Sequence, residues 1–297
     1  MDRVTTVALS VLLVVSAGAL ATPVLLAVGW LDPYTPAQHL LDEFGLPEVG
    51  ASTSHWLGVE PGLGRDVFSR LWLGTALSLV VATAATVLAV TLGVVVGVVA
   101  GMRGGRVDAV LGRIVDLTLA FPQILLLVAL DVVAVTVLVE VVGLPEGSPA
   151  RAVYVVLVLG LFGWTGIARV VRAQVLVLRE QEFVLAARAY GASDRRIWFR
   201  EVLPNLRSTV LVQATLLLPA FVAAEAAVGY LGVGIQAPTP TLGNLLQDAL
   251  RHAETAPLYF FAPALTVTAL VVVFNLAGDG LRDAGDPRLR SVAGRAR

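Results

Sequence analysis

The residues able to do chemistry in this chain are few and poorly placed for catalysis. Gly191-Ala192-Ser193-Asp194 has the Gly-x-Ser form of a nucleophile turn. A serine nucleophile needs a base within hydrogen-bond reach, and the candidate bases are His39, His55 and His252, scattered along the chain. The same histidines lack the spacing of a metal site, and with no cysteine there is neither a thiolate ligand nor a disulfide. All 21 basic residues are arginine, so no phosphate-binding loop of the Gly-x-x-x-x-Gly-Lys type is present. We therefore expect no enzyme activity, no resident cofactor and no nucleic-acid partner. Two acids, Asp131 and Glu225, lie inside apolar runs, where an ionisable group costs about 2.5–3.5 kcal/mol on insertion scales and is a functional candidate by default. The remaining polar concentration is the arginine-rich stretch 182–205, wedged between two long apolar runs.

The elements that position these residues are membrane spans. Of the 297 residues, 57% are hydrophobic and 14% charged, with a mean hydropathy of +0.83, far more apolar than a soluble domain. A span needs roughly 20 mainly apolar residues, and six candidates fit: about 5–29, 74–101, 113–141, 152–174, 208–235 and 259–281. The expected fold class is an all-α integral membrane protein with six transmembrane helices. With the amino terminus inside, Arg3, three arginines from Arg103 to Arg113, eight from Arg169 to Arg207 and five from Arg282 to Arg297 are cytoplasmic, leaving Arg65, Arg70, Arg151 and Arg251 outside. That 17 to 4 split places both termini and the 182–205 stretch in the cytoplasm, and the histidines on the face opposite Ser193. Ala19-Leu20-Ala21 has the form of a signal-peptidase site, but the apolar run continues to Trp30, so residues 1–30 read as a retained anchor.

Within the spans, Gly93, Gly97 and Gly101 share one helix face, the pattern that lets helix backbones approach closely in lipid. Pro122 should kink the third span, as a gate or as a static bend. Asp131 reads as lying near the outer surface. Residues 31–73 form a polar extracytoplasmic segment ending in an amphipathic stretch in which Val67, Phe68, Leu71 and Trp72 oppose Ser69 and Arg70. That stretch is either a lead-in to the second span or a contact for a delivery protein. Ser193 has a plain use as the N-cap of a short helix, with Gly191 ending the one before it.

Several motifs converge on one family. Glu182-Phe-Val-Leu-Ala-Ala-Arg-Ala-Tyr-Gly-Ala-Ser193 resembles, almost letter for letter, the cytoplasmic coupling segment of permease subunits of peptide-type ATP-binding-cassette importers (the dipeptide, oligopeptide and nickel branch). Ala186, Ala187, Gly191, Leu203 and Pro204 fall on the generic signature of such subunits, whereas Leu185 and Glu201 depart from its Glu and Ile. His55 to Arg70, Arg106-Val-Asp108, Val115 to Pro122, Ala224 to Gly234, Gln236 to Asn244 and Asn275 to Arg290 are similar to further family stretches, so the resemblance covers about residues 55–290.

The resemblance implies a type I importer permease fold: a five-helix core over 74–281, a coupling loop over 175–207 and a cytoplasmic tail over 282–297. It implies ATPase coupling through Glu182, Ala186, Ala187, Arg188, Gly191, Ala192, Ser193, Leu203 and Pro204. It also implies a translocation-path or interhelical role for Glu225 (a site near the outer interface being the alternative), a path role for Pro122, and binding-protein contact at Arg65 and Asp66. The partners implied are a second homologous permease subunit, two ATPase subunits that bind the ATP, an extracytoplasmic solute-binding protein and membrane lipid, in a bacterial or archaeal cell membrane. The solute would be a peptide, with nickel chelates or glutathione as alternatives. An ion-coupled secondary transporter is the reading from another class, disfavoured because the chain shows no internal repeat and at most two buried charges.

Overall fold

The computed structural model describes residues 3–48 and 50–285. Among these, ten helices follow in order: α1 (Arg3–Ala27), α2 (Val67–Arg103), α3 (Gly105–Ala120), α4 (Gln123–Glu140), α5 (Ser148–Leu178), α6 (Glu182–Ala189), α7 (Asp194–Arg196), α8 (Arg207–Tyr230), α9 (Leu242–Leu250) and α10 (Pro257–Gly285). A π-helical turn (Ile197–Val202) and a 3-10 turn (Leu203–Leu206) carry α7 into α8. Six helical runs are long and apolar enough to cross a membrane: α1, α2, α4, α5, the run Asp194–Tyr230 and α10.

The boundaries differ from the sequence expectation where local chemistry overrides hydropathy. The second span begins at Val67 rather than 74: the amphipathic stretch at 67–72 is a lead-in that forms the first turns of α2, and Asp66 caps that helix by accepting the Ser69 N–H at 2.7 Å. The expected third span, 113–141, is two helices. Phe121 is extended and Pro122 stands at the N-cap of α4 with ψ 110°, so Pro122 breaks the helix where a kink was expected. Its ring removes a backbone donor and biases the preceding residue away from helix. The fifth span ends at Tyr230 rather than 235, because the chain then turns through Gly232 (φ +80°) and Gly234 (φ +91°).

The core is built on α2 against α5. A Cβ at Gly93 would lie 2.6 Å from Ile167, one at Gly97 would lie 2.8 Å from both the Ala168 carbonyl and Val171, and one at Gly101 would lie 2.7 Å from Val175. The glycine stripe is therefore the seam along which the two longest helices touch, as the spacing suggested. A second close approach joins α8 to α9, where a Cβ on Gly243 would meet Gly229 Cα at 2.7 Å. Helix α9 is fixed by a capping box in which Thr241 and Asn244 bond reciprocally, and Asn244 Nδ2 also donates to the Ile235 and Thr239 carbonyls. Residues 286–297, which hold most of the expected tail and the end of the Asn275 to Arg290 motif, lie outside the described residues.

Candidate functional site: the polar segment between α5 and α8

Helix α6 ends in a Schellman motif. The Ala192 N–H donates to the Ala187 carbonyl and the Gly191 N–H to the Arg188 carbonyl, both at 3.0 Å, with Gly191 at φ +78°. Ser193 then caps α7, its Oγ accepting the Arg196 N–H at 3.4 Å. The expected pair of short helices with a glycine break and a serine cap is thus present. Glu182 lies in the first turn of α6 and Arg188 in its last, each matched to the helix dipole.

One face of this segment anchors it. Val184, Ile197, Val202 and Leu206 are completely buried, and Ala187, Ala192 and Leu203 pack against the same core. Arg179 Nη1 donates to the Gly101 carbonyl at 2.8 Å, and Arg103 stands over the Trp198 ring at 5.9 Å, tying both sides of the segment to the end of α2. The other face is open. Tyr190 is 93% and Phe199 61% exposed, and Glu182, Ala186, Arg188, Gly191 and Ser193 are exposed with them. Ser193, Arg195, Arg196, Phe199 and Arg200 line an open hollow of about 440 Å³. Pro204, half-buried, lies in the 3-10 turn that redirects the chain into α8. The segment thus combines an anchored face with an open face of exposed aromatics and arginines.

The other expected positions take up places inside the chain. Glu225 is 4% exposed, with the Ser78 and Thr241 hydroxyls against its carboxyl and Oε2 without a partner, so it sits where α8 meets α2 and α9. Arg65 and Asp66, expected to face a binding protein, have their charged atoms engaged within the loop. Arg65 pairs with Glu60, and Asp66 bonds His55 Nδ1 at 2.9 Å while capping α2. Asp131 is buried and paired with Arg151 at 3.0 Å, and Arg151 also reaches the Gly234 carbonyl.

Sequence reasoning missed the ion pairs that organise these regions. Arg70, 1% exposed, pairs with Glu60 at 2.9 Å and donates toward the carbonyls of Pro33 and Pro238, joining the loop before α2 to the loop before α9. Asp108 and Asp116 on α3 pair with Arg172 and Arg169 on α5. The Arg172 guanidinium holds the Asp108 carboxyl below its ordinary value of 3.8. Two acids eight residues apart on one helix, facing two arginines three apart on another, were a readable complement; the partners of Glu60 and Asp131 left no such pattern.

Six apolar helical runs with a close-packed glycine seam between α2 and α5, carrying an anchored polar segment with an open face, have the build of a multi-pass membrane protein. The chain belongs to the family of binding-protein-dependent transport system inner membrane components, whose model matches residues 93–291. It is 38% identical over 239 residues to the oligopeptide transport system permease protein OppC of Bacillus subtilis, covering 80% of this chain and 73% of that one. It is 35% identical over 262 residues to the dipeptide permease protein DppC of the same organism (88% and 76%). It is 39% identical over 261 residues to the glutathione permease protein GsiD of Shigella flexneri (88% and 80%). Among solved structures it resembles an inward-facing conformation of the MetNI methionine ABC transporter, with a TM-score of 0.56 and 22% identity over 73% of this chain and 95% of that one, which supports the fold alone.

Proposed function

We propose that the chain is one of two permease subunits lining the pore of an ATP-driven peptide importer, and that it does no chemistry itself. ATP is bound and hydrolysed by two separate ATPase subunits, and an extracytoplasmic binding protein delivers the solute. The observation that carries this reading is the segment 182–206, whose buried face is locked to α2 and α5 and whose open face offers Tyr190, Phe199 and three arginines to a partner. Movement of a docked ATPase would pass through that rigid backing into the core helices, switching access from one side to the other. The arginine distribution favours this segment and both termini being cytoplasmic.

Peptides are the favoured solute because the permease proteins similar to this chain include oligopeptide and dipeptide ones; glutathione, itself a tripeptide, is the second reading on the likeness to GsiD. The test is to copurify the chain with its partners, identify the bound solute, and measure uptake in proteoliposomes. Peptide uptake that requires internal ATP and the binding protein supports the proposal. Uptake driven by an ion gradient without ATP would replace it with the secondary-transporter reading.

A further inference from the structure

Where α1, α2 and α10 meet, they leave a groove of about 290 Å³ whose lining is almost wholly apolar. Its two hydroxyls, on Thr75 and Thr266, are turned onto the Leu71 and Ala262 carbonyls of their own helices. Along α1 the groove runs from Ala19 to Val11, about 12 Å at the helical rise, most of the ~15 Å depth of one leaflet's hydrocarbon. It lies on membrane-spanning helices, so hydrocarbon chains are its available occupants.

At the end nearer the loops, Phe68 lines both this groove and a second, polar pocket of about 330 Å³. There Trp30, Trp56 and Phe68 form a mutual cluster with ring centroids 4.9–6.0 Å apart. Trp30 and Trp56 remain 52% and 55% exposed, as aromatic residues at a membrane interface do. The same pocket is lined by the carboxylates of Asp32 and Asp66 and by no arginine, and its histidine, His55, is bonded to Asp66. The N–H groups of Thr35 and Tyr34 hold Asp32 ionised by donating to Oδ1 at 3.0 and 3.3 Å. Aromatic faces beside carboxylates favour an ammonium and disfavour a bare anion.

We propose that these two neighbouring cavities, which share Phe68 in their walls, bind a phospholipid with an ammonium headgroup, one acyl chain in the α1–α2–α10 groove and the headgroup against Trp30, Trp56 and Asp32. The lipid would wedge α1, which is otherwise little buried, onto the core.

The test is native mass spectrometry of the complete complex purified with its ATPases and exposed to equal amounts of phosphatidylethanolamine and phosphatidylglycerol with the same acyl chains. The expected result is about two- to fivefold preferential retention of the ethanolamine lipid, the range of one exposed cation–π contact. Asp32→Asn, which keeps an acceptor for the two N–H bonds, combined with Trp56→Ala should bring that ratio close to one, and Val15→Phe, which fills the groove, should lower retention of both lipids. Equal retention of the two lipids by the parent, or an ethanolamine preference unchanged by the headgroup variant, overturns the proposal. Displacement by free ethanolamine with no effect of Val15→Phe overturns it in favour of a small-amine site. Asp32→Asn carries the headgroup test even where the groove variant fails to assemble.

Discussion

A single methyl group tests the packing logic of the core. Gly97→Ala places a Cβ 2.8 Å from both the Ala168 carbonyl and the Val171 side chain. The carbonyl is backbone within α5 and retreats only if that helix moves. Overpacking of this kind costs about 1–3 kcal/mol; the gain of up to about 1 kcal/mol from replacing a helical glycine is shared by a matched control, so the two variants should differ by about 1–3 kcal/mol. Gly166→Ala is the matched control: the same change on α5, at an exposed position with no atom within 4 Å of the new Cβ, and it should be neutral or slightly stabilising. The assay is thermal unfolding of the complex in detergent, where losses of that size shift the midpoint by several degrees, at roughly 2–4 °C per kcal/mol. Gly97→Leu should be worse than Gly97→Ala. If Gly97→Ala melts with Gly166→Ala, α2 and α5 are not in backbone contact and the seam is wrong.

Further outcomes follow from particular contacts. Gly191→Asn, a residue that tolerates φ +78°, should retain transport, whereas Gly191→Val should lose solute-stimulated ATP hydrolysis at normal assembly, because β-branched residues resist that conformation; nothing lies within 4 Å of a Cβ there, so strain and not clash is being read. Asp131→Ala should lower the melting temperature more than the double change Asp131→Leu, Arg151→Leu, since the single change leaves a partly buried arginine unpaired. Because Arg172 depresses the Asp108 pKa from 3.8, the pair's contribution is present in full above that value and is lost as pH falls through the lower folded value. The melting difference between the parent and Asp108→Asn should therefore be constant from pH 8 to 5 and shrink below about 3.8. Glu225→Gln should transport nearly as well as the parent, while Glu225→Ala should transport less, having removed the groups that face Ser78 and Thr241; equal rates for the two would make the carboxyl a bystander.

Hydropathy and glycine spacing made the spans and the α2–α5 seam legible, because both depend on local periodicity. The local structure of the segment 182–206 was legible down to single residues, since the conformational demand on Gly191 and the capping role of Ser193 are local. What stayed hidden was long-range. The use of Arg65 and Asp66 inside their own loop, the Glu60–Arg70 joint to the 236–241 turn, and the Asp131–Arg151 pair each join segments whose meeting no periodicity announces. Pro122 was read as a kink within one span, whereas the bias it puts on Phe121 breaks the run into α3 and α4; hydropathy alone, apolar on both sides, does not separate a kink from a break.

In the proposed importer, residues 182–206 dock a separate ATPase. The native absence of cysteine permits a direct measurement with single cysteines at Arg195, on the open hollow, and at Thr241, the buried cap of α9, each tested for cross-linking to the ATPase subunits in assembled complexes. Cross-links from position 195 and none from 241 are predicted, together with loss of solute-stimulated hydrolysis once the first link forms. Failure of position 195 to cross-link in complexes that contain the ATPases, or linkage from both positions, would contradict the account.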